Sequence, residues 1–296
     1  MSLVGTIFEG YKIEELLSTT SVAEIYLGYE KNLIGEQPYA IKVLSLEASQ
    51  DTAYVTRFMR EMNALSAVQH PNIVALKNWG MGEGERLYSV TPYLGGLVTL
   101  AQAVQHYPFS PARMQIVLRS ILDALAYIHD TGAVHRNVNP SSILIKNLKD
   151  ETKWHIYLGD FVLVKTPGVD SNVTDTVNSL GDARYVSPEL TQDPDSIDHR
   201  SDLYAVGILL YEVLLGQMPY TYKNDMTLVV AHNAQPPMLP TALAPDFPPE
   251  IEAVLMTALA KDRNKRYSSA YDFWVAYEQA VAAAGDAALV SYHDQM

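Results

Sequence analysis

The spacing of apolar residues changes period once along this chain, and that change limits the architectures open to it. Up to about Tyr93 apolar and polar positions tend to alternate, as in "YAIKVL" and "LYSVTPYL", around one helical stretch, "AYVTRFMREMNALSAV". A period of two belongs to strands buried on one face, so this part predicts a small sheet with a single helix. After "PYLGG" the period lengthens. "ARMQIVLRSILDALAYIHDTG" predicts a helix that gathers Ile116, Leu118, Ile121, Leu122, Leu125 and Ile128 on one face and closes at Gly132. Two short strand-like runs follow, "SILIK" and "WHIYLGD", then a polar loop from Lys165 to Gly181, then helices to the end. The expectation is an α+β chain of two lobes: a β-rich one with one main helix over residues 1–93 and a larger, mainly helical one over 94–296.

A length of 296 residues exceeds what a single core usually serves, which agrees with two lobes. Hydrophobic residues at 48% and charged residues at 19% describe a chain that folds in water. A net charge of −13 supplies no field to attract a phosphate backbone or anionic lipid, so nucleic acid is not an expected partner. With no cysteine there is no disulfide framework, thiolate metal site or cysteine nucleophile. The longest apolar run, "YAVGILLYEVLLG", is interrupted by Glu212, is too short to span a bilayer, and reads as a buried helix. The N-terminus lacks the charged and apolar regions of a signal peptide. A cytoplasmic location is expected, either alone or as the cytoplasmic part of a membrane-anchored protein.

Eight short motifs occur in order: "YAIK" ending at Lys42, "FMREMNAL" around Glu61, "HPNIV" at His70, "VHRNVNPSSILI" at Val134, "DFV" at Asp160, "SPE" at Ser187, "SDLYAVGILLYEVLLGQMPY" at Ser201 and "KDRNKRY" at Lys261. Their order resembles the protein kinase fold, and most closely the bacterial Hanks-type serine/threonine kinases, from Tyr11 to about Ala280. The resemblance implies a bilobal kinase-like fold in which active members hold ATP between the lobes. Lys42 and Glu61 match the strand lysine and helix glutamate that pair in the family. The carbonyl of Pro92 and the amide of Leu94 match its adenine contacts, Leu144 its adenine-packing position, and Asp160 its remaining metal-ligand candidate. Glu189 and Arg266 match a buried ion pair, and Asp202 the aspartate that supports the "HR" turn.

The same alignment of motifs exposes departures. Ser18, Thr20 and Ala23 stand at the glycine positions of the phosphate loop, where each adds a Cβ in the path of close amide donors, and Glu24 adds negative charge. Asn137 replaces the catalytic aspartate and cannot accept a proton at neutral pH, a loss of roughly 10²–10⁴-fold in rate. Asn139 replaces the lysine that neutralises the moving phosphoryl group, Ser142 the asparagine that holds a second magnesium, and Val162 the glycine of the metal motif. With these positions degenerate, no catalytic residue and no metal site are expected. The chain is then a catalytically inactive, kinase-like module, a pseudokinase acting as scaffold or allosteric partner of signalling proteins in bacteria, with no required cofactor and at most weak ATP binding. Two alternatives remain open: a weakly active or atypical ATP-dependent phosphotransferase, and a nucleotide sensor without turnover. Thr174 and Thr176 form a T-x-T pair where bacterial relatives are phosphorylated, with Arg136 as the phosphate's usual partner. A cognate active kinase is the expected writer of that mark, and a phosphothreonine-binding forkhead-associated domain its expected reader.

Overall fold

A computed structural model describes residues 2–20, 22–31, 37–159, 182–192, 197–220 and 222–292. The chain divides into two compact units, Met1–Gly96 and Leu97–Met296. The first is built on β1 (Ile7–Phe8), β2 (Tyr11–Thr19), β3 (Ala23–Glu30), β4 (Pro38–Leu44), β5 (Asn78–Gly82) and β6 (Arg86–Pro92), with α1 (Leu46–Gln50) and α2 (Thr52–Ser66) between β4 and β5. The strands form one antiparallel sheet in the order β1-β2-β3-β4-β6-β5. Alternation along β4 buries Tyr39, Ile41 and Val43 and leaves Lys42 exposed, as a period of two requires. One face of the sheet closes over Phe8, Tyr11, Ile13, Tyr26 and Tyr88. The other receives α2, whose Phe58 and Met62, one helical turn apart, pack with Ala23, Leu44 and Leu87.

The second unit opens with β7 (Val98–Thr99), α3 (Leu100–Ala103) and α4 (Pro111–Asp130), then β8 (Ile143–Lys146) and β9 (His155–Leu158), which join β7 in a three-stranded sheet of order β7-β8-β9. Ser110 caps α4 by accepting from the Arg113 amide, Pro111 takes the first helical position, and Gly132 follows the last turn at a φ of +77°, a conformation glycine adopts at low cost. The buried stripe of α4 runs through Met114, Val117, Leu118, Ile121, Leu122, Leu125 and Ile128. Ile116, expected on that face, is exposed instead, because at 100° per residue it points away from Leu118 and Ile121.

The helix Arg200–Leu215 is the pillar of this unit. Every residue from Ser201 to Leu215 except Glu212 is buried, so the run "YAVGILLYEVLLG" is a core helix. Gly207 is its contact point with the helix Pro249–Ala258: a Cβ there would lie 2.9 Å from the Ala258 Cβ and 3.2 Å from Leu259 Cδ2. Among the described residues, no helix is long and apolar enough to cross a membrane.

Candidate functional site

In the second unit the site is organised from below by Asp202, buried in the first turn of the helix Arg200–Leu215. Its Oδ2 accepts from the His135 amide at 2.8 Å and lies 2.8 Å from His129 Nε2, and its Oδ1 accepts from the Arg136 amide at 2.7 Å. Burial alone would push this carboxyl up. The hydrogen bond and charge of His129, with the His135 amide, outweigh burial and hold it below the usual carboxylate range. The grip also accounts for the backbone of Arg136, which has a φ of +65°. That left-handed conformation costs a non-glycine residue on the order of 1 kcal/mol and persists where neighbours over-determine it. His135 is oriented in turn: its Nε2 lies 3.0 Å from the Gly159 carbonyl and must donate, which leaves Nδ1 to accept from the Asn137 amide at 3.3 Å.

Beyond this turn the substituted residues bond to one another. Asn139 Nδ2 donates to the Asn137 carbonyl at 3.0 Å and to Asn137 Oδ1 at 3.2 Å. Asn139 Oδ1 accepts from the amides of Ser141 at 2.8 Å and Ser142 at 3.2 Å. The Ser142 hydroxyl donates to the Asn139 carbonyl at 2.8 Å and accepts from the Asn139 amide at 3.1 Å. Ser142 is buried with its hydroxyl spent in these bonds, so it does not fit the role of a magnesium ligand. Leu144 sits on β8, half-buried, opposite Tyr157 and Thr99. The expected metal ligand Asp160, with Val162, Thr174 and Thr176, lies outside the described residues.

In the first unit Lys42 stands opposite Ile25 on β3 and Ser89 on β6. The expected Lys42–Glu61 pair is not formed: Lys42 is exposed and enters no ion pair among the described residues, while Glu61 is half-buried on α2. The physical reason is that α2 is seated through Phe58 and Met62, and a solvated ammonium gains little, about 0–1 kcal/mol, from such a pair. Pro92 closes β6, and the Tyr93 amide that follows donates to the Pro38 carbonyl at 2.8 Å, which carries the chain on to Leu94.

The turn joining β2 to β3 is closed on itself. The Thr20 amide and hydroxyl both donate to the Ala23 carbonyl, at 2.8 and 3.1 Å, and the Thr20 hydroxyl accepts from the Ala23 amide at 3.0 Å. Glu24, expected to add negative charge here, is neutralised by Arg86, whose Nη2 donates to Oε2 at 3.0 Å while its Nε donates to the Leu44 carbonyl at 2.7 Å. The Arg86 hydrogen bond holds the Glu24 carboxyl below its ordinary range. Thr19, Thr20, Ala23, Glu24, Ser45 and Arg86 line a cavity of about 440 Å³ at this turn. Arg86 carries no motif of its own, and at 62 residues from Glu24 only the fold joins the two.

The matched scaffold residues meet as expected. Arg266 Nη1 and Nη2 donate to the two Glu189 oxygens at 2.7 and 2.8 Å, and further donations reach the carbonyls of Ala260, Arg200 and Lys261. Burial works against the Glu189 charge, but Arg266 and the Ser201 hydroxyl outweigh it and lower the carboxyl. Asp182 turns to Arg184, accepting from its amide at 3.1 Å and from its Nε at 2.9 and 3.0 Å.

Comparison with known proteins yields one family. The protein kinase domain model matches residues 11–279. The chain is 31% identical over 271 residues to the serine/threonine-protein kinase PknJ of Mycobacterium tuberculosis, covering 91% of this chain and 45% of that protein. It is 32% identical over 275 residues to the serine/threonine-protein kinase PknB of the same species, covering 91% of this chain and 42% of that protein. The chain therefore spans less than half the length of these relatives. Among solved structures, the crystal structure of the Mycobacterium tuberculosis PknI kinase domain superposes with a TM-score of 0.71 at 25% identity, covering 93% of this chain and 98% of that one. These findings correct the expectation that the chain is not an enzyme, since proteins similar to it over nine-tenths of its length are named as kinases.

Proposed function

We propose a function from one premise: the chain belongs to the protein kinase domain family. Its reading is an ATP-dependent phosphotransferase, weak or atypical beside its relatives, acting on protein acceptors in bacterial signalling. The observation that carries it is the family match over residues 11–279 together with relatives named serine/threonine-protein kinases. Magnitudes agree with this reading. A general base contributes roughly 10²–10⁴-fold, against total accelerations of at least about 10⁶-fold in enzymes. Loss of the base at Asn137 therefore slows transfer without removing the rest, because phosphoryl transfer depends mainly on positioning and charge. Lys42, Glu61, Pro92, Leu94, Leu144 and Asp160 are the residues assigned to the nucleotide, held weakly because Ser18, Thr20 and Ala23 stand where the family's phosphate loop has glycines.

Transfer from ATP radiolabelled in its γ-phosphate, with Mg²⁺ or Mn²⁺, tests this directly. Incorporation that disappears in Lys42→Met is expected. Absence of label in the wild-type chain under both cations, or label indifferent to Lys42→Met, would overturn the reading. Regulation is assigned to Thr174 and Thr176, with a cognate kinase as writer and a forkhead-associated domain as reader, on the strength of the T-x-T pair and Arg136. Mass spectrometry of the chain from its host is expected to find phosphate on one of them. Finding both unmodified while other sites carry the mark would remove that assignment.

A further inference from the structure

We propose that His129 and His199 hold a divalent cation of the zinc, nickel or copper class through their Nδ1 atoms, with water completing its coordination. The two histidines are not among the residues assigned to the nucleotide, so the site stands or falls independently of phosphoryl transfer.

His129 lies in the last turn of α4, and His199 immediately precedes the helix Arg200–Leu215, three residues ahead of Asp202. A spacing of three sets His199 and Asp202 side by side at the start of that helix. Both meet His129. Asp202 Oδ2 lies 2.8 Å from its Nε2, and the His199 ring stands 5.4 Å from its ring between centroids, tilted by 52°. The Nε2 end of each ring is already committed. That of His129 donates to the Asp202 carboxylate, and that of His199 lies 2.8 Å from the Ser268 carbonyl, which only accepts, so it too must donate. Each ring is left with Nδ1 as its ligating atom. A carboxylate on one histidine and a backbone carbonyl on the other are the outer partners that orient metal-bound imidazoles and raise their basicity.

Two further observations point to an ion. The first is that the His129 side chain is 8% exposed and its Nδ1 is buried without a hydrogen-bond partner. As an N–H that atom lacks an acceptor, and as a lone pair it lacks a donor. A cation satisfies it and takes over the positive charge beside Asp202 that otherwise requires a protonated ring. The second is spacing. At a Zn–N distance of about 2.0–2.1 Å the metal lies about 3.2 Å from the centre of its imidazole. Two ring centres 5.4 Å apart then subtend about 115° at a shared ion, close to the tetrahedral angle. Among the described residues no group of three His, Cys, Asp or Glu is placed to hold a metal, so water fills the other positions. Imidazole selects zinc, nickel or copper over magnesium and calcium, which take oxygen ligands. His199 is half-buried and gives the ion a way in. Once bound, the ion joins the end of α4 to the start of the next long helix and, through Asp202, braces the turn at His135 and Arg136.

Titration calorimetry of the full chain, stripped with EDTA and titrated with zinc or nickel chloride, tests the site. One ion per chain is expected. Its affinity should be at least about tenfold weaker in His199→Ala, since even the outer partners of a metal site contribute that much, and unchanged in His106→Ala, an exposed histidine. If His199→Ala folds poorly, the wild type decides: in the chain labelled with ¹⁵N at histidine, one equivalent of Zn²⁺ should move two Nδ1 resonances together. Absence of binding, equal affinity in the two variants, or movement of one Nδ1 resonance or none would show a histidine pair without an ion and overturn the proposal.

Discussion

His232 is fully buried, with Nδ1 2.8 Å from the Tyr204 hydroxyl and its ring edge-on to Tyr220 at 4.9 Å. Burial, and then the nearby Lys261 ammonium, pushes its pKa from 6.5 down to about 3. In the unfolded chain the imidazole takes up a proton below its ordinary value while the folded one does not, so the unfolded state binds more protons there. Stability is therefore expected to fall as pH drops from 6.5 toward about 3. Glu189 and Asp202 are held low and lose their contribution only beneath the ordinary carboxylate range of about 4, which leaves the window above it to His232. Urea midpoints measured on either side of that window should fall for the wild type and fall less for His232→Gln; equal falls would assign the effect elsewhere. A second expectation concerns Arg266. Removing it leaves a buried carboxylate unpaired, at a cost of about 3–5 kcal/mol in a chemical melt of Arg266→Ala. Arg266→Lys should recover only part of this, because a single ammonium does not reproduce the fork that reaches two carboxylate oxygens and three carbonyls. Full recovery by lysine would mean that charge alone matters. Both partners of this pair were legible as motifs. Arg86 was not, because a pairing across strands far apart in sequence leaves no local pattern.

Among elements, the helix Arg200–Leu215 is the one whose sequence and burial agree most completely, and its weak point is Gly207. A Cβ at 2.9 Å from Ala258 forces the two helices apart, so Gly207→Val should cost about 1–3 kcal/mol in thermal or urea unfolding. A variant as stable as the wild type would show that the contact gives way freely. Helix periodicity was readable in α4 as well, down to its cap and its closing glycine, yet Ile116 was assigned to the wrong side. Apolar identity marks a residue as able to be buried, while only its angle around the helix decides whether it is. The Lys42–Glu61 pair failed for a related reason. Motif spacing names the two partners, but the seating of α2 through Phe58 and Met62 determines where the helix puts its glutamate.

For the molecule as a whole, 34 acidic against 21 basic residues give a charge of −13, and self-repulsion of that size opposes compaction. Added salt shortens the screening distance to about 8 Å at physiological strength, so the melting temperature should rise with sodium chloride from low ionic strength to that point. A fall would mean that the attractive pairs, such as Arg86 with Glu24, outweigh the net repulsion. The change of period near "PYLGG" made two units legible, and the order of short motifs made the family legible. What those motifs could not convey was activity. Substitution at single positions records which group has been lost, but not what the remaining groups are turned to do. Asp202 gives that distinction a structural basis. It holds the turn at His135 and Arg136 through their amides, and a backbone N–H is supplied by every residue type except proline. The backbone shape of that turn is thereby separated from the side chains it carries, so substitution at position 137 leaves the support beneath the turn in place.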